Sequence, residues 1–162
     1  MWNSKYFLIT ITTLALGAAS AQAAGEILRD ADGSIRYMNQ HDAMKACPAG
    51  THLPTIRELA KESQARGAIG ILEVNQGNSD GVPTGYYKIS AINPNGQKDE
   101  FYFNCEGYKR PNGDLGNNWF WSSSLHSNYS DFGYLLNGGS GFVGYGDSPD
   151  NNNPAALCVH GR

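Results

Sequence analysis

The segment Leu53-Pro54-Thr55-Ile56-Arg57-Glu58-Leu59 constrains the fold more than any other stretch of the chain. A Thr followed three residues later by Glu is a capping box. The Thr hydroxyl accepts the amide of the Glu, and the Glu carboxylate accepts the amide of the Thr. Two of the four N–H groups that a first helical turn leaves without partners are thereby satisfied. A helix is therefore expected to start at Ile56. Ile56, Leu59 and Ala60 share one apolar face, and Gly67 suits the left-handed position that ends a helix. The spacing predicts a helix over residues 56–66. A shorter one is predicted over residues 40–47, with Asn39 as its cap, Ala43 and Cys47 on one face, and Pro48 and Gly50 as its stop.

The rest of the chain reads as β-structure joined by turns. Asp30-Ala31-Asp32-Gly33 between two short runs is a hairpin signal. Asn93-Pro94-Asn95-Gly96 separates two runs rich in β-formers, residues 86–92 and 100–105, so a second hairpin is expected there. Further strands are expected over residues 119–124, 132–136, 141–146 and 156–160, with loops over 74–85 and 106–118. Two short helices with a β-rich remainder make an α+β domain. Leu53, Ile56, Leu59, Trp121, Leu135 and Val159 are its expected core.

Residues 1–23 have the form of a secretory signal peptide: Lys5 ahead of an uncharged run over residues 7–19, then the cleavage pattern Ala21-Gln22-Ala23. That run is too short to span a bilayer comfortably. The expected mature chain, residues 24–162, forms a single domain in an oxidising compartment, whether periplasmic, cell-surface or secreted, with no membrane insertion after cleavage. The formal net charge is −3, and removing Lys5 leaves 11 basic against 15 acidic residues, or −4. The chain thus lacks the basic footprint of a nucleic-acid partner.

Three segments, Cys47 with His52-Leu53-Pro54-Thr55-Ile56-Arg57-Glu58-Leu59, then Phe120-Trp121-Ser122-Ser123-Ser124, then Leu157-Cys158-Val159-His160-Gly161-Arg162, carry a family likeness. In that order the chain resembles the DUF1566 family of bacterial secreted proteins and is similar to the C-terminal domain of the Legionella collagen-like adhesin. His52 and His160 stand where the family has Arg. The resemblance implies a C-type-lectin-like fold, with two short helices packed on small antiparallel sheets and a loop-rich C-terminal half. It also implies a disulfide between Cys47 and Cys158 that ties the first helix to the last strand. Three Cys in an exported chain give one bridge and one leftover. Cys105 is then a buried free thiol or an intermolecular link, or it takes the place of one of the other two.

No residue set proposes catalysis. The histidines, at 41, 52, 126 and 160, fit no metal-ligand spacing, Ser122, Ser123 and Ser124 lie in no nucleophile elbow, and Cys105 with His126 is one pair among many. Asp30 and Asp32 lack the Glu that a calcium loop would place near His41. Binding residues are expected instead in the C-terminal loops. Asn128, Tyr129 and Asp131 lie in one stretch, and Tyr145, Asp147, Asp150, Asn151 and Asn152 in another. Their amides, carboxylates and ring faces suit sugar hydroxyls, and Asp147, Asp150 and Asn152 are also oxygen ligands of the kind calcium takes. The expected function is an adhesive binding module, not an enzyme, with no resident cofactor and a glycan or protein surface as partner. The alternatives are a structural subunit of a surface assembly, for which homo-oligomerisation stays open, and an enzyme of the sulfatase-modifying branch of the fold, which Leu53-Pro54-Thr55 with Ala65-Arg66-Gly67 also resembles.

Overall fold

A computed structural model describes residues 25–74 and 81–161; the expected signal peptide lies outside them. Both helices start where their caps direct. Asn39 Oδ1 accepts the Asp42 amide at 2.8 Å and opens α1, Gln40–Ala46. Thr55 and Glu58 complete the capping box and open α2, Ile56–Ala65. The C-terminus of α2 is closed by two backbone bonds, from Gly67 to the Gln64 carbonyl and from Ala68 to the Ser63 carbonyl, the pairing of a Schellman motif. Gly67 has φ +103°, and a Cβ there would lie 2.8 Å from the Gly107 carbonyl oxygen, so the position demands glycine twice over.

Nine strands join into one sheet among the described residues: β1 (Glu26–Ile27), β2 (Thr51–His52), β3 (Gly70–Glu73), β4 (Tyr87–Ile92), β5 (Lys98–Asn104), β6 (Trp119–His126), β7 (Gly133–Asn137), β8 (Val143–Asp147) and β9 (Ala155–His160). The architecture is α+β, as expected. The expectation of small antiparallel sheets is corrected in two respects: the strands are connected through β6 and β9, and β6 runs parallel to β9. In the C-terminal half β4 to β9 alternate with loops and turns, and fewer than half of its described residues are in strands.

The connection depends on a fork in β6. Phe120 and Trp121 pair with β9, whereas Leu125 and His126 pair with β4. The ladder to β7 shifts register between Trp121 and Leu125. The three intervening serines supply the hydrogen bonds that an interrupted ladder loses. Ser122 Oγ donates to the Tyr134 carbonyl at 2.9 Å, and the Ser123 amide donates to the Pro54 carbonyl at 2.8 Å. Ser124 Oγ donates to Asn93 Oδ1 at 2.7 Å and accepts the Ile56 amide at 3.0 Å. Buried Gln40 donates from Nε2 to the Ser122 and Ser124 carbonyls, at 2.7 and 3.2 Å. The Trp-Ser-Ser-Ser run is therefore structural: its hydroxyls are consumed by the fork.

Two apolar clusters flank the sheet. Ile56, Leu59 and Ala60 of α2 pack with Phe101, Phe103, Phe120, Leu136, Val143 and Leu157. Ala43 of α1 packs with Met38, Leu53, Trp121, Leu135 and Ala156. All six residues expected in the core are buried. Burial of each large apolar side chain contributes about 1.5–3 kcal/mol. The Cys47–Cys158 disulfide joins the end of α1 to β9, across a Cα separation of 5.6 Å, and leaves Cys105 half-buried as a thiol. No helix among the described residues is long and apolar enough to cross a membrane.

Candidate functional site: an aromatic cluster between a C-terminal loop and strand β8

The β6–β7 and β7–β8 hairpins bring one residue from each predicted loop stretch together. Tyr129, in the β6–β7 loop, and Tyr145, on β8, have ring centroids 6.4 Å apart with planes 25° from parallel. Phe132 lies 6.0 Å from Tyr145 and edge-on to Tyr129. His126 sits 4.1 Å from Tyr145, 4.9 Å from Tyr129 and 5.7 Å from Tyr134. Tyr134 is buried and anchored: its hydroxyl donates to the Ser90 carbonyl at 2.9 Å and accepts the Ser90 amide at 3.1 Å. Burial pushes its phenol pKa above the usual value. The outer rings are open to solvent, Tyr129 at 56%, Tyr145 at 48% and Phe132 at 38%. Aromatic rings that contact one another while this exposed form an apolar surface available to a ligand.

The other predicted residues lie in the β6–β7 loop, at the end of β8 and in the turn that follows it. Asn128 and Asp131 flank Tyr129 on the same exposed loop. Asp147, at the end of β8, accepts a hydrogen bond from Asn151 Nδ2 at 2.9 Å. That bond and the Asn151 amide donating to the Ser148 carbonyl close a turn. Asp150 and Asn152 are exposed beyond it, and the Asp150 amide donates to Ser148 Oγ. Among the described residues no three His, Cys, Asp or Glu side chains gather as a metal site would.

Phe132 and His126 belong to the cluster but were not among the binding residues expected from the sequence. The missing information is a register. Tyr134 pairs with Tyr145 and Gly133 with Asp147, so one strand carries an extra residue between the two pairs. Which rings share a face follows from that irregularity, which no local pattern announces.

A second concave feature was also not expected. A cleft of about 570 Å³ lies between the start of α2, β2 and the β4–β5 turn. His52 Nε2 is 3.0 Å from Glu58 Oε2, and the same carboxylate oxygen accepts the Thr55 amide at 2.9 Å. Arg57 donates to Asp99 at 2.7–3.1 Å and pairs with Glu73 as well, while its guanidinium lies 4.7 Å from the Phe101 ring centroid. Those bonds hold its pKa above the ordinary value. The charged groups of this cleft are thus committed to one another. The hydroxyls on its wall are engaged too: Thr55 Oγ1 accepts the Glu58 amide and Ser123 Oγ donates to the Pro54 carbonyl. No protein family, no curated protein and no solved structure matches the chain.

Proposed function

We propose that this is an exported, C-type-lectin-like binding module of the DUF1566 kind, without catalytic activity of its own, whose C-terminal loops hold a neutral saccharide in an adhesive role. The fold reading is supported by two helices over a sheet whose first and last strands pair, with a disulfide from the first helix to the last strand. The observation that carries the ligand reading is the exposed cluster of Tyr129 and Phe132 from the β6–β7 loop with Tyr145 of β8. An aromatic face covers the C–H face of a sugar ring, and the amides and carboxylates around it hydrogen-bond to hydroxyls. Asn128, Asp131, Asp147 and Asn151 supply those groups.

A glycan array probed with the mature protein, followed by titration of the best ligand, tests this. Tyr129→Ala and Tyr145→Ala should each weaken binding about tenfold, the loss expected for roughly one stacked ring, ~1.4 kcal/mol. The thermal midpoint should hardly change, because both side chains are half exposed. An array without hits, or a Tyr129→Ala/Tyr145→Ala double variant that binds like the wild type, overturns the reading. A hit confined to protein ligands would move the partner from a saccharide to a protein surface.

A further inference from the structure

His126 does more in the cluster than present a ring. Its Nδ1 accepts two backbone hydrogen bonds, from the Asn128 amide at 3.1 Å and the Tyr129 amide at 3.2 Å. Only an unprotonated Nδ1 has the lone pair to do so, so the imidazole is the neutral Nε2–H tautomer. The opposite ring orientation would place a carbon against both amides. Hydrogen bonds hold the segment on either side of this contact. The Ser127 amide donates to the Ser90 carbonyl at 3.0 Å and the Ser127 and Ser90 hydroxyls are 2.7 Å apart, while the His126 amide donates to the Phe132 carbonyl. Between those anchors the Asn128 and Tyr129 amides depend on Nδ1.

We propose that His126 is a protonation-sensitive latch on the saccharide-binding surface: its neutral ring folds residues 127–131 so that Tyr129 lies beside Tyr145, and a proton on Nδ1 opens the loop and disperses the site. The inference names the regulation of the surface proposed above and rests on that reading for its functional consequence. The mechanism is stereochemical. Protonation converts the acceptor into a donor, and three N–H groups then converge with no lone pair between them.

The surroundings of the ring favour its neutral form. Tyr129 faces it from the loop, Tyr134 from β7 and Tyr145 from β8. On the β4 side its partner is Ala91, with Ile92 next along the strand. Burial lowers its pKa below the ordinary 6.5, and the two amides that donate to Nδ1 favour the same unprotonated form. Stacking on tyrosine can hold an imidazole in either charge state; what the proton abolishes is the acceptor. A histidine whose pKa is lowered in the closed state binds a proton more readily when the loop is open. Closure is therefore complete above about pH 6.5 and is lost as pH falls through the lowered value.

The test needs no ligand, so it can fail separately from the saccharide reading. Heteronuclear NMR of the folded protein, taken from about pH 7.5 down to the pH at which the His126 nitrogen shifts report protonation, spans the transition. At the higher pH the His126 nitrogen shifts should report the Nε2–H tautomer, with proton contacts between the Tyr129 and Tyr145 rings. At the lower pH those contacts should vanish, and the Asn128 and Tyr129 amides should lose exchange protection relative to Ser127. His126→Asn supplies a non-titrating side-chain oxygen to the same amides, as Asn does in turns, and should keep the loop closed at both pH values. His126→Ala should leave it open at both. Ring contacts that persist once His126 is protonated, or an Nδ1–H tautomer at the higher pH, overturn the latch. If the latch is found and saccharide binding at the higher pH is not, the binding reading fails and the latch stands.

Discussion

Thr55 and Ser124 serve the same helix start from different distances. Thr55 Oγ1 accepts the Glu58 amide three residues away, whereas Ser124 Oγ accepts the Ile56 amide from 68 residues away and donates to Asn93. Their losses should differ accordingly. Thr55→Ala removes a cap on a half-exposed turn and should cost about 1 kcal/mol. Glu58→Ala should cost less, since Thr55 still caps, and Glu58→Gln should be close to neutral because glutamine also completes the box. Ser124→Ala strands a buried N–H and a carbonyl oxygen at once and should cost about 2–3 kcal/mol. Urea midpoints for the four variants rank them. Equal losses at Thr55 and Ser124 would mean that water replaces the serine at the fork of β6.

Among the elements, α2 was legible because every determinant of it is local: its cap, its apolar face and its Gly67 stop lie within thirteen residues of one another. The hairpin at Asn93 was legible for the same reason. β3 was not. Gly70-Ile71-Leu72-Glu73 has no alternation and forms a strand because β5 offers it an open edge. The segment after β5 also reads as a loop, yet Arg66 clamps it. The side chain of Arg66 is 6% exposed, pairs with Glu62 and Asp114 at 2.8 Å, and its carbonyl accepts the Lys109 amide. The contacts to Asp114 and Lys109 are long-range and carry no sequence period. The candidate site divides in the same way. Tyr129 and Tyr145 could be chosen from composition, whereas their meeting through the β7–β8 irregularity could not. The Cys47–Cys158 bond closes a 111-residue separation, for which chain entropy gives about 4–5 kcal/mol of stabilisation. Non-reducing peptide mapping should recover the Cys47–Cys158 pair with Cys105 alkylated. Recovery of Cys105 linked to either partner would reject the α1–β9 tie, and with it the main support for a lectin-like fold.

At the scale of the whole molecule, charge decides which polymers the aromatic surface can meet. A sulfated glycosaminoglycan as ligand would require clustered, available cations. The distribution here runs the other way. No Lys or Arg occurs between residues 111 and 161, whereas Asp114, Asp131, Asp147 and Asp150 do. Elsewhere Arg36, Arg57, Arg66, Lys88 and Lys98 each face a carboxylate within 4.0 Å. Lys109-Arg110 is the one adjacent basic pair in the sequence. A sulfated chain approaching the Tyr129–Tyr145 surface would meet the carboxylates of the same loops, and residues 111–161 supply no compensating Lys or Arg. At about 0.15 M salt the Debye length is about 8 Å, so a basic pair on a different segment cannot offset that cost unless it lies close by. We therefore expect negligible retention on a heparin column at that ionic strength, while binding to neutral saccharides remains insensitive to salt. Calcium provides the control. An ion held by loop carboxylates would reverse the local sign, so retention that appears only with calcium would reveal a cation site on the loops, whereas retention without it would show that Lys109-Arg110 or another cationic surface governs binding and that the aromatic cluster is not the principal contact.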